Sequence, residues 1–150
     1  CTCAEVRFRL TDRPMVVHAC HCTWCQRESG SAFALNAMIE TDKLVLVMGK
    51  PEETLLPSAS GKGQAVLRCP TCRIALWSHY AGAARKVAFV RVGCLDDPAS
   101  CPPDVHIFTS SKLPWMALPE GIPSRPEYYR REEIWRPDAI ARREVLLAQH

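Results

Sequence analysis

Cys20-His21-Cys22-Thr23-Trp24-Cys25 is the stretch that decides the fold, because it places three thiols within six residues. Two further pairs frame it, Cys1-Thr2-Cys3 at the start of the sequence and Cys69-Pro70-Thr71-Cys72 midway. Thiols spaced this closely are typical of metal ligation, since a C-x-x-C turn points both sulfurs at one ion. The sequence therefore predicts turns between strands that are held by metal.

Zinc explains these cysteines better than disulfides do. Nine cysteines is an odd number, so a disulfide framework would leave one over. C-x-C pairs are also poor disulfide partners because the loop between them is too tight. No signal peptide is visible, and we expect a cytoplasmic protein, a compartment in which thiols stay reduced.

The charge and hydropathy of the chain argue against two classes of partner. The formal charge of +3 counts every thiol as neutral, and seven thiolates with two Zn²⁺ ions would bring it to zero. The C-terminal arginines alternate with acidic residues instead of forming the basic patch that nucleic acid requires. No apolar run approaches the roughly 18 residues of a membrane span. We therefore expect neither nucleic acid nor membrane as a partner.

Counting the thiols favours two zinc ions per chain. One set has the four ligands that close a structural zinc site, and it consists of Cys1, Cys3, Cys69 and Cys72. The other set has three ligands, which leaves the fourth position of a catalytic zinc open. It consists of Cys20, Cys22 and Cys25.

Two other arrangements of ligands stay open at the level of sequence. In the first, Cys22 and Cys25 join Cys69 and Cys72 in one ribbon-like site, although the 43 intervening residues exceed the usual spacing of such ribbons. In the second, another side chain closes the three-cysteine site. The candidates for that fourth ligand are Asp96, Asp97, His79 and His106.

A zinc ion bound by three thiolates has a recognisable chemistry. The charges sum to −1, so the ion is a weaker Lewis acid than one bound by imidazoles. Its natural guest is another soft donor such as a thiol, which would lose its proton near neutral pH. A thiolate held in this way is ready to add to a small carbonyl compound. The site therefore indicates chemistry on a thiol substrate more than amide hydrolysis.

Hydrophobic alternation with period two predicts a mainly β chain with at most one substantial helix. Strands are expected at 5–10, 15–19, 32–39, 44–47, 53–56, 64–68, 74–80, 86–92 and, at a sheet edge, 105–108. A knuckle or single helical turn is expected at 22–28, and a helix opened by Pro137 at 137–148. The length of 150 residues fits one domain, with the motifs in 1–115 and an extension in 116–150.

The order of the motifs is similar to that of a known family. The motifs are Cys1-x-Cys3, Cys20-His21-Cys22-x-x-Cys25 with Gly30, Cys69-x-x-Cys72, Gly93-x-Leu95-Asp96-Asp97-Pro98 and Lys112-Leu113-Pro114-Trp115. Together they resemble the family of glutathione-dependent formaldehyde-activating enzymes and centromere protein V. The resemblance runs from Cys1 to about Trp115, and the combined cysteine pattern is its most specific part.

The resemblance implies an Mss4-like (β-tent) fold with two zinc ions. It implies that the outer pairs hold a structural zinc and that Cys20, Cys22 and Cys25 hold a catalytic one. The implied activity joins glutathione to formaldehyde as S-hydroxymethylglutathione, which is a carbon–sulfur lyase reaction run in reverse. Two positions depart from the family, since Ala4 and Arg73 stand where glycine is usual. Glycine relieves a positive φ at such turns.

Several other residues have a structural and a functional interpretation. Arg27 and Lys112 are either solvated charges or partners of a glutathione carboxylate. Asp96-Asp97-Pro98 is a turn or supplies a general base. We expect Trp24 to pack over the knuckle, and His21 to point away from the shared metal, at the surface or behind the ligands. Trp115 is expected to fill core or to wall a pocket.

These observations predict a zinc-dependent carbon–sulfur lyase that acts on an adduct of glutathione or another small thiol. A non-catalytic zinc module that binds protein or nucleic acid is the alternative function. It would require a basic tail or a clustered positive face, and this sequence shows neither. A third possibility is an enzyme of the same kind that uses a wholly different thiol.

Overall fold

The computed structural model describes residues 1–58 and 60–148. These residues contain nine β-strands and two α-helices. The strands are β1 (Arg7–Leu10), β2 (Val16–Cys20), β3 (Ala34–Glu40), β4 (Leu44–Met48), β5 (Glu52–Leu56), β6 (Gln64–Arg68), β7 (Ala75–Tyr80), β8 (Val87–Arg91) and β9 (Val105–Ile107). The helices are α1 (Thr23–Ser29) and α2 (Pro137–Ala148). The fold is mainly β and Mss4-like with a C-terminal helix, as predicted from the sequence.

Seven of the strands form one sheet in the order β5-β6-β7-β8-β3-β2-β9, and β1 pairs with β4 in a separate two-stranded sheet. Neighbours in the large sheet are antiparallel except β2 and β9, which run parallel. The predicted edge strand β9 does lie at an edge. The central antiparallel register sets His18 of β2 opposite Asn36 of β3. Asn36 in turn lies opposite Arg91 of β8.

The large sheet is covered on both faces, which explains why β2 is buried along its whole length. Val17 and Ile39 pack in one core cluster, against which side chains of β1 are also packed. Val16 and Met38 pack in a second cluster, which includes Trp135 from the C-terminal segment. Adjacent strand residues point to opposite faces, so neighbouring positions of one strand serve different clusters.

An ion pair, in addition to apolar packing, holds the C-terminal segment against the sheet. The Arg142 guanidinium of α2 donates two hydrogen bonds, of 2.7 and 2.6 Å, to the Glu40 carboxylate at the end of β3. Such a bidentate pair fixes geometry better than a single contact does. Within the described ranges, neither helix is long and apolar enough to cross a membrane.

The knuckle or single helical turn expected at 22–28 is the α-helix α1. It has seven residues and begins immediately after Cys22. Gly30 ends it in the left-handed conformation, with φ of 64°, and returns its N–H to Gln26. The strand β2 and the helix α1 therefore meet at the three-cysteine stretch, which fixes the direction of each thiol.

Candidate metal centre

Four sulfurs meet where the N-terminus packs on the turn between β6 and β7. They belong to Cys1, Cys3, Cys69 and Cys72, and they all lie within 4.8 Å of one another. The Sγ atoms of Cys1 and Cys3 are 3.6 Å apart, and those of Cys3 and Cys69 are 3.5 Å apart. Tetrahedral sulfurs about 2.3 Å from an ion would be separated by roughly 3.8 Å, so this four-cysteine cluster fits a metal ion.

The second cluster is formed where β2 ends and α1 begins. The Sγ atoms of Cys20, Cys22 and Cys25 lie within 4.8 Å of one another, and those of Cys20 and Cys22 are 3.5 Å apart. The backbone N–H of Cys25 donates to Cys22 Sγ at 3.4 Å, which caps the helix. This three-cysteine cluster also has the donor type and spacing of a metal site.

The thiols of the three-cysteine cluster share their protons. Cys20 donates its S–H to Cys22, and this contact together with the Cys25 thiol lowers the pKa of Cys22 to about 2. The same contact raises the pKa of Cys20. A bound cation would release the protons of these thiols.

The structure separates the two clusters, so Cys22 and Cys25 do not share a site with Cys69 and Cys72. Within the described part of the chain, no His, Cys, Asp or Glu joins the three-cysteine cluster as a fourth donor. Asp96 is engaged instead by the Arg7 guanidinium at 2.6 Å. The ring of His79 makes a 2.9 Å hydrogen bond to the Val87 carbonyl.

His21 and His106 form a buried pair behind the cluster. His21 Nε2 lies 2.9 Å from His106 Nδ1, and Phe33 packs against both rings. His21 lies outside both sulfur clusters, but its side chain is wholly buried. Of the two positions expected for His21, at the surface or behind the ligands, the structure has the second, because β9 and the segment after it cover this side of β2.

A cavity of about 570 Å³ opens beside the three-cysteine cluster, and all three of its cysteines line the wall. Other lining residues come from distant parts of the chain: His18, Asn36, Gln64, Tyr80, Phe89, Ile107, Phe108, Ser111 and Tyr128. This volume is within the range of about 300–1,000 Å³ typical of small-molecule sites. The sulfurs therefore face a space in which a small molecule can be held.

A chain of three hydrogen-bonding side chains orients His18 in this wall. Trp135 Nε1 donates to Tyr129 Oη at 2.7 Å, and Tyr129 Oη lies 2.5 Å from His18 Nε2. Burial lowers the pKa of His18 to about 4, in keeping with a neutral ring. In the tautomer in which the Tyr129 phenol donates to Nε2, the imidazole proton is on Nδ1. In that tautomer His18 presents an Nδ1–H donor.

His18 and Cys20 are two residues apart on β2, so their side chains lie on the same face of the sheet. Asn36 lies opposite His18 and lines the same cavity. The Arg91 guanidinium donates to the Asn36 Oδ1 atom, which leaves the amide N–H₂ group available as a donor. Two neutral donors therefore flank the three thiols.

Sequence analysis did not single out His18 or Asn36. Their significance depends on Tyr129, Trp135 and Arg91, none of which lies near them in sequence. Two neutral polar residues in a buried strand carry no motif of their own. A buried polar position next to a ligand on the same strand face is the signal that could have found His18.

Four residues that the sequence singled out have different surroundings. Arg27 and Lys112 do not line the cavity. The Lys112 ammonium is held by the carbonyls of Leu113 and Met116, at 3.1 and 2.6 Å. Trp24 does line the cavity and is 37% exposed. Trp115 is 74% exposed and neither fills core nor lines this wall, so its predicted position is wrong.

Ala4 and Arg73 hold the turns of the four-cysteine cluster in left-handed backbone conformations, each with φ of 61°. This conformation costs an L-residue roughly 1–2 kcal/mol. Glycine recovers that cost but loses about 0.4–1 kcal/mol through its greater freedom in the unfolded chain. We expect Ala4→Gly to raise the free energy of unfolding by up to about 1 kcal/mol, measured by denaturant unfolding of metal-loaded protein.

The matched control for Ala4→Gly is Ala141→Gly on the exposed side of α2, where the backbone is helical. There glycine should lower the free energy of unfolding by about 1 kcal/mol. Equal destabilisation by both substitutions would show that the φ of Ala4 stores no strain.

Two comparisons with known proteins complete the description of the site. The family model described as "Glutathione-dependent formaldehyde-activating enzyme" matches residues 1–111, which contain all seven clustered cysteines. A crystal structure of a Rhodobacter sphaeroides protein is similar with a TM-score of 0.50 and 22% sequence identity. That likeness covers 67% of this chain and 90% of the other, and it concerns the fold alone.

Proposed function

The chain belongs to the glutathione-dependent formaldehyde-activating enzyme family, and from that premise we propose that it is a zinc-dependent carbon–sulfur lyase. Its substrate would be the adduct of a small carbonyl compound with glutathione or another small thiol. The observation that supports this most strongly is the three-cysteine cluster, whose sulfurs line a cavity large enough for a small molecule. A purely structural site has no need of such a space.

The donor sets suggest which metal the protein would use. Thiolates select soft or borderline ions, and tetrahedral all-sulfur sites are typical of zinc. We propose a structural zinc at Cys1, Cys3, Cys69 and Cys72 and a catalytic zinc at Cys20, Cys22 and Cys25, whose sulfurs cluster in these groups. When bound at the three cysteines, Zn²⁺ supplies the affinity for a substrate thiol and favours its thiolate form.

The proposed reaction needs no oxidant or reductant. In the synthetic direction the thiol sulfur forms a bond to the carbonyl carbon while the carbonyl π bond breaks. The proton lost by the thiol ends on the oxygen, which gives an S-(1-hydroxyalkyl) thioether. The lyase direction reverses each change. The oxygen gains negative charge on the way, so donors aimed at it would stabilise the transition state.

His18 and Asn36 are suited to meet that oxygen. Both line the cavity beside Cys20, and the Asn36 amide N–H₂ is left over from its bond with Arg91, as His18 Nδ1–H is when Tyr129 donates to Nε2. We propose that His18 Nδ1–H and the Asn36 amide donate to the developing alkoxide. Tyr129 and Trp135 then act as positioning residues, because they hold the imidazole in the required tautomer.

The C-terminal segment supplies both Tyr129 and Trp135 to the site built on the sheet. We therefore propose that residues 1–150 form one domain.

His18→Phe should lower kcat by about a hundredfold with little change in KM, because one oxyanion donor is lost while the ring volume is kept. His18→Gln, which retains an N–H donor, should recover part of the loss. Tyr129→Phe should give a smaller decrease, since the imidazole remains but its tautomer is no longer fixed. An unchanged kcat in folded, zinc-loaded His18→Phe would remove His18 from the mechanism.

Exchange NMR tests the proposed function itself. Formaldehyde is mixed with a small thiol, and exchange between the free thiol and its hydroxymethyl adduct is followed with and without the zinc-loaded protein. We expect the protein to accelerate exchange for at least one thiol in a panel that includes glutathione. No acceleration with any thiol, in protein with two bound zinc ions, would contradict the proposal.

A non-catalytic zinc module remains the alternative proposal, and the surface of the protein gives it little support. Several arginines of the C-terminal segment are paired with acidic side chains, as in Arg125–Glu133, Arg136–Asp138 and Arg142–Glu40. Arg131 and Arg143 lie close enough to repel each other, and burial together with this repulsion lowers the pKa of Arg143. The ion pairs reduce the clustered positive charge that nucleic-acid binding uses.

A further inference from the structure

The walls of the cavity beside the three-cysteine cluster are aromatic. They include Trp24, Tyr80, Phe89, Phe108 and Tyr128. Tyr80 and Phe89 meet edge to face, with ring centroids 4.8 Å apart, and form a shaped surface at the sheet. Trp24 and Tyr128 are 37% and 46% exposed, so large aromatic surfaces face the opening. Exposed aromatic surface around a concave site is typical of a wall that binds apolar groups.

The described side chains that line these walls include no carboxylate, ammonium or guanidinium group. Among the described residues that line the cavity there is no Asp, Glu, Lys or Arg. Three arginines lie near the wall without lining it: the Arg91 guanidinium donates to Asn36, and Arg131 and Arg143 act electrostatically on the Tyr128 phenol. Lys112 is held by two backbone carbonyls. A carboxylate placed among the lining side chains would therefore lose water without a cationic side chain of the wall to pair with, which is costly.

The charge of the zinc-loaded three-cysteine cluster would also disfavour a carboxylate in the cavity. Three thiolates and one divalent cation sum to −1, so the reacting end of the cavity would repel a nearby carboxylate. Glutathione carries two carboxylates and one ammonium group near neutral pH. The walls therefore match its thiol but not its charged ends.

We propose that the substrate thiol is uncharged and bears an aromatic or other bulky apolar group, in preference to glutathione. This inference rests on the proposed lyase function and narrows its substrate class. The apolar group would pack against Phe89, Phe108 and Tyr128, while its sulfur reaches the three cysteines. The bond changes are those of the reaction given above, with an apolar thiol in place of glutathione.

Three thiols that differ in charge test the inference on the zinc-loaded protein. They are glutathione, its diethyl ester, which keeps the sulfur and the ammonium group but lacks the carboxylates, and the uncharged 2-phenylethanethiol. Binding is measured by isothermal titration calorimetry, and turnover with formaldehyde by exchange NMR. We expect the diethyl ester and 2-phenylethanethiol to bind at least tenfold more tightly than glutathione and to exchange faster. Equal or tighter binding of glutathione would overturn the inference and leave the lyase function standing.

Failure of the function itself looks different. If none of the three thiols binds or exchanges on protein that holds two zinc ions, the proposed function fails, and the inference fails with it. The two failures are therefore distinguished by whether glutathione is accepted.

An added cation provides a second test. Tyr128→Arg should shift the ratio of affinities at least tenfold toward glutathione, since a guanidinium would now face the bound carboxylates. Thr54→Arg adds the same charge on an exposed position of β5 that does not line the cavity, and it should leave the ratio unchanged. The inference would be contradicted if the ratio of affinities did not change in folded Tyr128→Arg, or changed equally in both variants. Either result would mean that the cavity wall does not discriminate between thiols by their charge.

Discussion

Replacing Cys22 by serine is expected to abolish turnover of thiol–aldehyde adducts while the protein stays folded. Cys22 lies at the junction of β2 and α1, and its sulfur contacts both other thiols of the cluster. Even the loss of a group behind a metal ligand costs about 10–100-fold in activity, so loss of a ligand should cost at least about a hundredfold. The zinc content should fall from two ions per chain to one.

The control for this substitution is Cys94→Ser. The Cys94 thiol belongs to neither sulfur cluster and donates to the Ala75 carbonyl at 3.2 Å, a bond that a serine hydroxyl can also make. We expect full activity and two zinc ions in that variant. If Cys22→Ser yields insoluble protein, the three-cysteine cluster is structural. If it retains full activity, the cluster is not the reacting centre.

Replacing Cys69 by alanine is expected to unfold the protein. Its side chain is wholly buried and forms part of one core cluster, and its sulfur contacts Cys3 at 3.5 Å. A structural zinc contributes about 10–16 kcal/mol in small zinc-binding peptides. That is comparable to the roughly 5–15 kcal/mol by which whole domains are stable. Near-UV circular dichroism and thermal unfolding should show no cooperative transition.

Cys101→Ala separates the loss of metal from the loss of packing. Cys101 is also buried in the same core cluster, but its sulfur lies in neither metal-binding group. Its replacement should lower the free energy of unfolding by about 1 kcal/mol and leave a cooperative transition. If Cys69→Ala unfolds cooperatively and loses no more stability than Cys101→Ala, the four-cysteine cluster does not hold a stabilising ion.

Much of the fold could be predicted because the local signals agreed. Alternation of apolar residues marks the strands, and β6 has the predicted bounds 64–68. Pro137 marks the first residue of α2, since proline fits a first helical turn. The sulfurs lie in the two groups that counting favoured. Their assignment to structural and catalytic zinc stays a prediction.

The surroundings of the three-cysteine cluster could not be predicted, because they depend on contacts between distant segments. Tyr129 reaches His18 across 111 residues, and no local pattern encodes that bond. The sequence left open whether 22–28 forms a knuckle or a helical turn, because this short stretch has no apolar periodicity that would mark it as α1. Lys112 was considered for a carboxylate of glutathione, whereas neighbouring carbonyls hold its ammonium group.

The central claim is that Cys20, Cys22 and Cys25 hold a zinc ion whose fourth position is open to substrate. Metal analysis of purified protein, combined with an anomalous map recorded at the zinc edge of a crystal, tests it directly. We expect two zinc ions per chain, one bound by four cysteine sulfurs and one by these three cysteines and a non-protein ligand. A fourth ligand from the protein at the three-cysteine site, or no zinc there, would contradict the claim.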